Sequence, residues 1–370
     1  MIRHRPTVAV VDLGAIRHNV KTLKPPAVEV MAVVKANGYG HGSVQVARAA
    51  RAGGATWLGV ALVEEGVELR DAGISGRILV LSEFPPGSEK EALSARLIPT
   101  LYTDEGLQRL SEAARARGRS VGVHVKVDTG MHRVGIHPDR AVQFVFDLVE
   151  AGLELEGLWT HFAKSEDTTD ALTWRQLDRF DDVVARLRHG DMVPRYLHAA
   201  NSAAIMRVPE SHFDLVRLGI GMYGLSPGPG LVEEADWKLR PAMSLKSAVT
   251  MVKRVDAGEA ISYGQSYSLQ RPSTIATVPV GYADGYSRLL SGKAQVLVRG
   301  QRRPVAGTIT MDQLMVDCGD DPVENGDEVV LIGSQGEECI GTDQVAAWMG
   351  TVNYEVVCGV SERVPREYVG

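Results

Sequence analysis

The sequence predicts an α/β fold, with an N-terminal (β/α)8 TIM-like barrel followed by a mostly β C-terminal domain. Over the first two-thirds of the 370 residues, short Val/Leu/Ile-rich runs alternate with amphipathic stretches rich in Ala, Arg and Glu. Eight such alternations are typical of a parallel sheet that closes into a barrel. Beyond residue 241 the helical pattern fades and short apolar runs follow one another between turns. An open doubly wound sheet is the alternative for the first part, because periodicity alone does not separate the two.

The barrel strands are predicted at residues 29–34, 57–60, 77–81, 98–102, 122–127, 155–161, 195–199 and 214–219. Helices are predicted between them at 44–52, 63–72, 104–118, 139–151 and 173–187. Asp104 is interpreted as an N-cap, and Gly118 and Gly152 as C-terminal stops, because short polar side chains favour helix starts and glycine favours helix ends. The polar groups discussed below follow the downstream ends of several strands. Those ends meet on one face of a barrel, which favours the barrel over the open sheet.

A Pro- and Gly-rich segment without a clear period, at 225–241, is predicted to join the domains. After it, strands are predicted at 246–255, 274–279, 294–298, 314–318 and 328–332, separated by Asp-Gly, Asn-Gly or Gly-rich turns, with one helix at 342–349. The run at 7–11 precedes the barrel and is expected to pair with the β domain. We therefore expect a barrel domain at 12–232 and a β domain at 233–370 that also includes residues 1–11.

The composition is that of an ordinary soluble globular protein, with 44% hydrophobic and 23% charged residues. A net charge of -6 and a pI of about 6.0 indicate neither a nucleic-acid partner nor an anionic membrane partner. No apolar run approaches the roughly 18 residues of a membrane span, and no signal peptide is recognisable. Three cysteines, far apart, fit a reducing cytoplasm better than a disulfide framework. The histidines show no metal-ligand spacing, so no metal is expected.

The most informative segment is at residues 34–42, which reads Val-Lys-Ala-Asn-Gly-Tyr-Gly-His-Gly. Lys35 stands at the downstream end of an apolar run, and a glycine-rich turn that contains Tyr39 follows. A strand end holds a group rigidly, and glycines let the backbone approach a ligand. A partly desolvated lysine at such a place can act as a neutral amine and form a Schiff base. By itself, the segment equally describes a lysine at the point where a buried strand meets solvent.

Other strand ends carry further candidates. Lys126 would need a partner if it pointed into the barrel, because a buried unpaired charge is costly. Arg133, in the loop that follows, could bind a carboxylate with both arms of its guanidinium. His161 ends another strand, and Ser202 stands where a helix start would offer N–H groups to an anion. Each of these residues, taken singly, also has an ordinary structural or surface explanation.

Residues 219–224 read Gly-Ile-Gly-Met-Tyr-Gly, a formal G-x-G-x-x-G. A dinucleotide site is rejected, because the segment ends the alternating region and a proline-rich stretch follows it instead of a helix. Glycines after the seventh and eighth strands of a barrel instead suit a phosphate site. Arg217, just upstream, would then lie beneath the ring of the ligand.

The β domain contributes candidates of a different kind. Tyr263 precedes a glycine, Tyr282 precedes Ala-Asp-Gly, Asp312 ends the run Thr-Ile-Thr-Met-Asp, and Tyr354 lies near the C-terminus. A buried tyrosine is usually a core residue with a satisfied hydroxyl. None of these residues predicts a site without the others.

Taken together, these segments resemble the alanine racemase family, the fold-type III enzymes that depend on pyridoxal 5'-phosphate (PLP). The resemblance covers essentially the whole chain in order, from Val11 and Asp12 to residues 361–365. The motifs at 34–42, at 126–131 (Lys-Val-Asp-Thr-Gly-Met) and at 311–313 (Met-Asp-Gln) are each fairly specific. Their joint occurrence outweighs the separate structural explanations. The resemblance implies an isomerase that interconverts L-alanine and D-alanine in the cytoplasm for cell-wall peptidoglycan, as a homodimer with active sites shared between subunits.

The resemblance also implies individual roles in catalysis and cofactor binding. Lys35 would hold PLP and act as one acid/base group, and Tyr263 of the partner subunit would be the other. Arg217 would face the pyridine nitrogen, and His161 would link Arg217 to Tyr263. Binding of the phosphate is implied for Tyr39, Ser202, Gly219, Ile220 and Tyr354.

On the substrate side, Arg133 and the backbone of Met311 would bind the carboxylate. Lys126 matches a family position that is often carbamylated, and the modified group would orient Arg133. Tyr282 and Asp312 would line the entrance from the second subunit. One departure from the common family motif is His132, which could modulate carboxylate binding by Arg133 or be an exposed loop residue.

The chemistry agrees with these roles, because racemisation removes a Cα proton on one face and returns one on the other. Lysine and tyrosine have ordinary pKa values near 10, so both need tuning toward the working pH. A fold-type III decarboxylase would need neither the tyrosine nor this carboxylate clamp, and Cys358 lacks the surrounding decarboxylase motif. Non-catalytic PLP-binding proteins resemble the barrel only. A racemase that accepts serine or more amino acids stays open, because one methyl or hydroxyl group changes discrimination modestly.

Overall fold

The computed structural model describes residues 5–234 and 237–370. The chain forms two compact units. One, here called the barrel unit, consists of Ala15–Gly38 and Ser43–Arg240; the other, here called the β unit, consists of Met1–Gly14, Tyr39–Gly42 and Pro241–Gly370. Within the predicted passage 225–241, Leu231–Glu234 forms a short helix that the sequence did not predict, and residues 235 and 236 lie outside the described residues.

The strands of the described residues are, in chain order, β1 (Val8–Asp12), β2 (Glu29–Val33), β3 (Trp57–Val60), β4 (Arg77–Val80), β5 (Thr100–Leu101), β6 (Gly122–Lys126), β7 (Glu154–Trp159), β8 (Tyr196–His198), β9 (Leu215–Leu218), β10 (Met243–Ala248), β11 (Met251–Val255), β12 (Ala260–Ile261), β13 (Tyr267–Ser268), β14 (Ser273–Val278), β15 (Gln295–Val298), β16 (Gln301–Pro304), β17 (Leu314–Asp317), β18 (Glu328–Gln335), β19 (Glu338–Ile340) and β20 (Arg366–Val369).

The α-helices are α1 (Leu13–Leu23), α2 (Ser43–Ala52), α3 (Val63–Asp71), α4 (Glu89–Ser94), α5 (Asp104–Arg117), α6 (Pro138–Glu150), α7 (Ala171–His189), α8 (Ser202–Arg207), α9 (Leu231–Glu234), α10 (Thr342–Met349) and α11 (Asn353–Cys358). Short 3-10 helices lie at Pro209–Ser211, Ile220–Tyr223, Tyr263–Gln265, Tyr282–Asp284 and Arg288–Leu290. The helical segment Lys35–Tyr39 is left-handed in its centre and is described with the site. No helix of the described residues is both long enough and apolar enough to cross a membrane.

Eight parallel strands of the barrel unit close into a ring. They pair in the orders β9-β2-β3-β4 and β5-β6-β7-β8. A parallel bridge between Leu79 and Ile98 joins the first group to the second. At the other side, the N–H of Asp214 donates to the carbonyl of Leu197 at 3.1 Å, which joins β8 to β9. The order is therefore cyclic, and the predicted barrel is confirmed over the open sheet.

The barrel strands are mostly apolar because helices cover their outer face while side chains fill the inside. The residues of β3 are all buried, and one interior cluster consists of Met31, Trp57, Leu79, Tyr196 and Leu215. Continuous burial explains why the sequence showed unbroken apolar runs there.

The N-cap of α5 was predicted wrongly. The cap is Thr103, whose hydroxyl accepts a hydrogen bond from the N–H of Gly106 at 3.0 Å, and Asp104 is the first helical residue. A carboxylate in the first turn is still favourable, because it faces the positive end of the helix dipole. The predicted stop at Gly118 is confirmed: this residue is the C-cap, with φ 63°. Gly152 follows the end of α6 with φ 85°.

The β unit contains a sheet in the order β16-β15-β18-β10-β1-β20, with β19 on β18, together with a three-stranded sheet β11-β14-β17 and the pair β12-β13. The N-terminal strand β1 is antiparallel to β10 and parallel to β20. The prediction of one strand at 246–255 was wrong. The chain leaves the large sheet after β10 and enters the small one at β11, as the N–H of Val249 donates to Asp327 and that of Thr250 to Thr277.

Candidate active site

The barrel unit places five of the predicted site residues at or beside the downstream ends of its strands. Lys35 lies two residues beyond β2, Lys126 ends β6, and His161 lies two residues beyond β7. Ser202 begins the helix after β8, and Arg217 lies in β9. Because parallel strands in a barrel end on a common face, these side chains share one region of the molecule.

The backbone that follows Lys35 makes a left-handed turn. Positive φ angles occur at Ala36 (51°), Asn37 (52°), Gly38 (61°) and Tyr39 (51°). The left-handed conformation costs a residue with a side chain roughly 1–2 kcal/mol. Such strain persists only where the surroundings impose it, and it is concentrated at functional sites. The glycines of this segment were recognised in the sequence, but the strain at Ala36 and Asn37 was not.

Several hydrogen bonds hold this turn. The N–H of Ala36 donates to the carboxylate of Glu65 at 2.6 Å, and the N–H of Gly38 donates to the carbonyl of Val34 at 2.9 Å. The amide oxygen of Asn37 accepts from the N–H of Ser43 at 3.0 Å. The attachment point of the Lys35 side chain is therefore tied to α2 and α3 of the barrel unit.

Lys126 is almost completely buried, with 3% of its surface exposed. Its ammonium nitrogen lies 4.5 Å from the centre of the Trp159 ring. Burial, and next the positive charges of Arg133 and Arg217, lower the pKa of Lys126 to about 7. A substantial fraction of this lysine is therefore a neutral amine at physiological pH.

Arg217 is also buried, and its guanidinium carbon lies 4.7 Å from the same Trp159 ring. Its terminal nitrogens donate to backbone carbonyls and imidazole nitrogens, at Thr160, His161, His198 and Ala199. Burial, and next Arg133, lower the pKa of Arg217 to about 9, so the group is still a cation at neutral pH. Within the residues that the structure describes, no carboxylate forms an ion pair with Arg217. This buried cation therefore favours an electron-rich ligand atom beside it.

His161 lies directly against Arg217, with 3.0 Å between its Nδ1 and an Arg217 terminal nitrogen. Since arginine only donates, Nδ1 of His161 accepts and the ring proton is on Nε2. Burial, and next the charge of Arg217, hold the pKa of His161 well below its usual range. His161 and Arg217 are therefore directly hydrogen-bonded, and the imidazole is neutral.

Sequence reasoning missed two histidines of this region, His124 and His198. Nδ1 of His198 lies 3.1 Å from Arg217, and Nε2 of His198 lies 2.8 Å from Nδ1 of His124. A signal was available for His124, which stands two positions before Lys126 on the same strand. Alternation along a strand places such residues on the same face.

Ser202 and the glycine-rich segment after β9 lie together. The N-cap of α8 is Asn201, and Ser202 is its first residue. The Ser202 hydroxyl is buried and accepts hydrogen bonds from the N–H groups of Gly219 at 3.0 Å and Gly221 at 3.3 Å. The hydrogen of this hydroxyl is therefore available to donate to another group. Ile220 begins the 3-10 helix of the same segment.

Arg133 is exposed, and so is the neighbouring His132. His132 has a left-handed backbone (φ 54°), and its Nδ1 lies 3.3 Å from the carboxylate of Asp128. The N–H of His132 donates to the same carboxylate at 2.9 Å. His132 therefore belongs to the turn that carries Arg133, with its side chain 77% exposed.

The β unit brings Tyr39 and Tyr354 together, with ring centres 6.2 Å apart. Burial, and next Tyr354 and Cys358, raise the pKa of Tyr39 above its ordinary value. Tyr39 is therefore a neutral phenol that can donate a hydrogen bond.

Tyr263 is displayed on an unusual turn of the β unit. It follows Ser262, whose φ is 67°, and it is 73% exposed. The turn is held by Thr308, whose carbonyl accepts from Ser262 at 2.6 Å and whose hydroxyl donates to the Tyr263 carbonyl at 2.8 Å. An aromatic side chain this exposed, on a strained turn, is typical of a surface that meets another group.

Three other predicted residues of the β unit lie next to one another. The N–H of Tyr282 donates to Thr310, and that of Ala283 donates to the carbonyl of Met311 at 3.0 Å. Tyr282 is 42% exposed and Met311 is 52% exposed. Asp312 accepts a hydrogen bond from Arg363 at 2.7 Å.

The residues of the barrel unit fit a planar aldehyde that carries an anionic group. Lys35 supplies an amine for the aldehyde, Arg217 supplies a buried cation that no described carboxylate pairs with, and Ser202 supplies a hydroxyl hydrogen. The positive charges of Lys35, Lys126 and Arg133 act together on His161, and such a surplus suits a phosphate or a carboxylate. Among the described residues, no cluster of His, Cys, Asp and Glu could hold a metal ion.

Comparison with known proteins agrees with this chemistry. The alanine racemase N-terminal domain family matches residues 11–227, and the alanine racemase C-terminal domain family matches residues 242–368. The alanine racemase of Symbiobacterium thermophilum is 50% identical over 370 residues, which cover 99% of this chain and 98% of that protein. The alanine racemase of Desulfovibrio desulfuricans is 46% identical over 372 residues, which cover 99% of this chain and 98% of that protein.

Solved structures are equally similar. The alanine racemase of Streptomyces lavendulae, a D-cycloserine producer, has a TM-score of 0.95 and 41% identity, covering 100% of this chain and 98% of that one. The alanine racemase of Bacillus anthracis, solved with bound L-Ala-P, has a TM-score of 0.94 and 38% identity. The match covers 100% of this chain and 96% of that one.

The closed barrel, the lysine on its strained turn and the mostly β C-terminal part define an amino-acid racemase of the PLP-dependent class, an isomerase. These matches span nearly the full length of both chains. The chain belongs to the alanine racemase family and interconverts L-alanine and D-alanine.

Proposed function

We propose that this racemase binds PLP on Lys35 and uses Lys35 and Tyr263 as two acid/base groups. PLP, when bound, supplies the aldehyde that joins an amino group and a ring that withdraws electrons from Cα. The strained, hydrogen-bonded turn after Lys35 is the observation that carries this proposal. It holds one lysine rigidly beside the cationic region of the barrel unit.

The phosphate is assigned to a set of hydroxyl and backbone donors. Ser202 has its hydroxyl oxygen saturated by two N–H groups, so it donates its hydrogen outward. Tyr39 is a neutral phenol beside Tyr354. Gly219 and Ile220 complete the assignment through the segment that packs on Ser202.

Arg217 faces the pyridine nitrogen in this proposal. A guanidinium donates a hydrogen bond but does not readily transfer its proton, so it would leave the ring nitrogen unprotonated. An unprotonated ring would withdraw electrons less strongly, which would limit side reactions such as transamination. Arg217→Glu should raise transamination relative to racemisation, and an unchanged ratio would count against this role.

The two bases act on opposite faces of the substrate. One group takes the Cα proton, and the other returns a proton to the opposite face, so one cycle inverts the centre without net proton loss. His161, whose proton is on Nε2, is assigned to connect Arg217 with Tyr263. Arg133 and the backbone of Met311 are assigned to the substrate carboxylate.

Lys126 is assigned a carbamate that orients Arg133. Its pKa of about 7 supplies the neutral amine that reacts with carbon dioxide. The cations around it favour the anion that results. The loss of one positive charge and the gain of a negative one would offset part of the positive surplus at the site.

We further propose a homodimer in which Tyr263 completes the active site of the partner subunit. Tyr263, Met311 and Tyr282 are exposed on the β unit although they are large and apolar. Exposed aromatic and Met side chains of this kind are enriched at interfaces. Tyr282 and Asp312 would then line the entrance to the site.

The proposed setting is a reducing cytoplasm, where the product D-alanine supplies peptidoglycan precursors. Among the described residues, Cys318, Cys339 and Cys358 form no disulfide, which is usual for proteins kept in a reducing compartment.

The two-base proposal is tested by incubating the purified protein with PLP and L-alanine in deuterated water. Loss of optical rotation together with deuterium at Cα should occur in the wild type and be absent in Lys35→Ala and Tyr263→Phe. Release of carbon dioxide without racemisation would contradict the proposal.

Mixing the two inactive variants tests the shared site. If chains exchange at random, half of the dimers are hybrids, and each hybrid has one site with both intact groups. Recovery to about a quarter of the wild-type activity is therefore expected from this symmetry. No recovery in confirmed hybrids would contradict the assignment of Tyr263 to the partner site.

A further inference from the structure

A chain of two buried histidines leads away from Arg217 into the barrel wall. His198 lies against the guanidinium at 3.1 Å, and His124 lies against His198 at 2.8 Å. Both histidines are fully buried, on β8 and β6. Neither histidine is assigned a role in the proposed function.

The direction of every hydrogen bond in this chain follows from Arg217. A guanidinium only donates, so Nδ1 of His198 accepts and its proton is on Nε2. Nε2 of His198 then donates to Nδ1 of His124. The proton of His124 is therefore on its own Nε2. Burial, and next Arg77 and Arg217, lower the pKa of His124 to about 3, so the ring is neutral and these assignments hold at physiological pH.

The position of His124 is costly for a residue with only a packing role. Its Nε2 is buried without a hydrogen-bond partner, beside the Trp57 ring at a centroid distance of 5.3 Å. An apolar side chain would avoid this unpaired N–H. The space for the ring exists because position 157 is glycine: a Cβ on Gly157 would lie 2.3 Å from Nδ1 of His124. The unpaired Nε2 and the space left by Gly157 are explained if His124 serves to offer an acceptor nitrogen to His198.

We propose that His124 is a positioning residue: its acceptor nitrogen stabilises the Nε2–H tautomer of His198, the tautomer that accepts from Arg217, and so helps hold the Arg217 guanidinium toward the cofactor ring. With the other tautomer, the N–H on Nδ1 of His198 would face an N–H of Arg217, and two donors repel. Arg217 would then turn away from His198. The assignment of Arg217 to the ring nitrogen belongs to the proposed function, and this inference rests on it.

The matched variants are His124→Leu and His124→Asn, because both side chains branch at Cγ and have similar size. Asparagine places an acceptor oxygen near the position of Nδ1, whereas leucine offers none. Nitrogen-15 NMR of histidine-labelled protein reports the tautomer without any turnover. We expect His198 to be the Nε2–H tautomer in the wild type and in His124→Asn, and a mixture of tautomers in His124→Leu.

Catalysis supplies the second readout in the PLP-loaded enzyme. His124→Leu should lose about 10- to 100-fold in kcat, with a rise in the ratio of transamination to racemisation, whereas His124→Asn should stay within a few-fold of the wild type. A merely structural role would reduce both reactions in proportion and leave their ratio unchanged.

The proposal would be overturned if the leucine and asparagine variants had the same His198 tautomers and the same ratio of transamination to racemisation. The Nδ1–H tautomer of His198 in the wild type would overturn it as well. If the tautomers follow the expectation but the wild type fails the two-base test, the proposed function fails while the hydrogen-bond chain stands.

Discussion

Replacing Lys126 by methionine is expected to remove a reactive site for carbon dioxide. The pKa of Lys126 is lowered to about 7. At pH 7.5, about three-quarters of such an amine is neutral, against about one in a thousand for an ordinary lysine. The neutral amine attacks carbon dioxide, forms an N–C bond, releases one proton and leaves a carbamate. Burial and the neighbouring cations thus raise the reactive fraction by about 750-fold.

Carbon-13 NMR with labelled bicarbonate checks this expectation. The carbamate signal of Lys126 should grow between pH 6 and pH 8 and then level, because the ammonium form dominates below the pKa. Lys126→Met should lack the signal. Lys21→Met is the matched control, since Lys21 is exposed on α1 and should not contribute to it.

Kinetics give a second measurement. Without the carbamate, Arg133 loses an anionic neighbour, so KM for alanine should rise about tenfold while kcat changes less, which corresponds to about 1.4 kcal/mol. Depletion of carbon dioxide should reproduce this effect in the wild type and leave Lys126→Met unchanged. A wild type without carbamate at pH 8 in excess bicarbonate, or a signal that persists in Lys126→Met, refutes the reasoning.

The same pKa has a consequence for stability in cofactor-free protein kept free of carbon dioxide. Between about pH 7 and pH 10 the unfolded chain holds a proton on Lys126 that the folded chain has lost. The free energy of unfolding should therefore rise with pH in this window, by at most about 1.4 kcal/mol per pH unit. Lys126→Met should lack this contribution when both proteins are unfolded in urea.

Three further substitutions test local geometry. Gly40→Ala should lower Tm of the β unit strongly, because the added Cβ would lie 2.1 Å from the carbonyl oxygen of Val357; an unchanged Tm would contradict the backbone described there. Glu83→Ala should cost about 2 kcal/mol in the free energy of unfolding, measured with urea, since its carboxylate accepts the N–H and hydroxyl of Thr103 at 2.6 and 2.7 Å. Glu83→Gln should recover part of this loss. His132→Gly relieves a left-handed backbone and should change stability by less than about 1 kcal/mol; KM for alanine should stay constant, and a higher KM would instead assign His132 a role in carboxylate binding.

The barrel was predictable because each of its strands and helices has a recognisable pattern in its own stretch of sequence. Strands covered on both faces appear as unbroken apolar runs, and the predicted strand 57–60 and helix 342–349 agree with Trp57–Val60 and Thr342–Met349. The β unit was less predictable. The switch between β10 and β11 is set by pairing with Asp327 and Thr277, which are distant in sequence. No local pattern marks the residue where the backbone changes partners.

The left-handed turn after Lys35 shows a second limit. Ala36 and Asn37 adopt the left-handed conformation less readily than glycine, and hydrogen bonds to Glu65 and Ser43 help to hold them in it. Strain of this kind is invisible to residue preferences, because those preferences describe the unstrained state.

The order of elements, the reactive residue types at the strand ends and the family resemblance follow from the sequence itself, because they depend on pattern and on short motifs. The electrostatics and the hydrogen-bond directions depend on the folded molecule. Desolvation and residues distant in sequence lower the pKa values of Lys126 and Arg217. The tautomers of His124 and His198, 74 positions apart, are set by a contact that only folding creates.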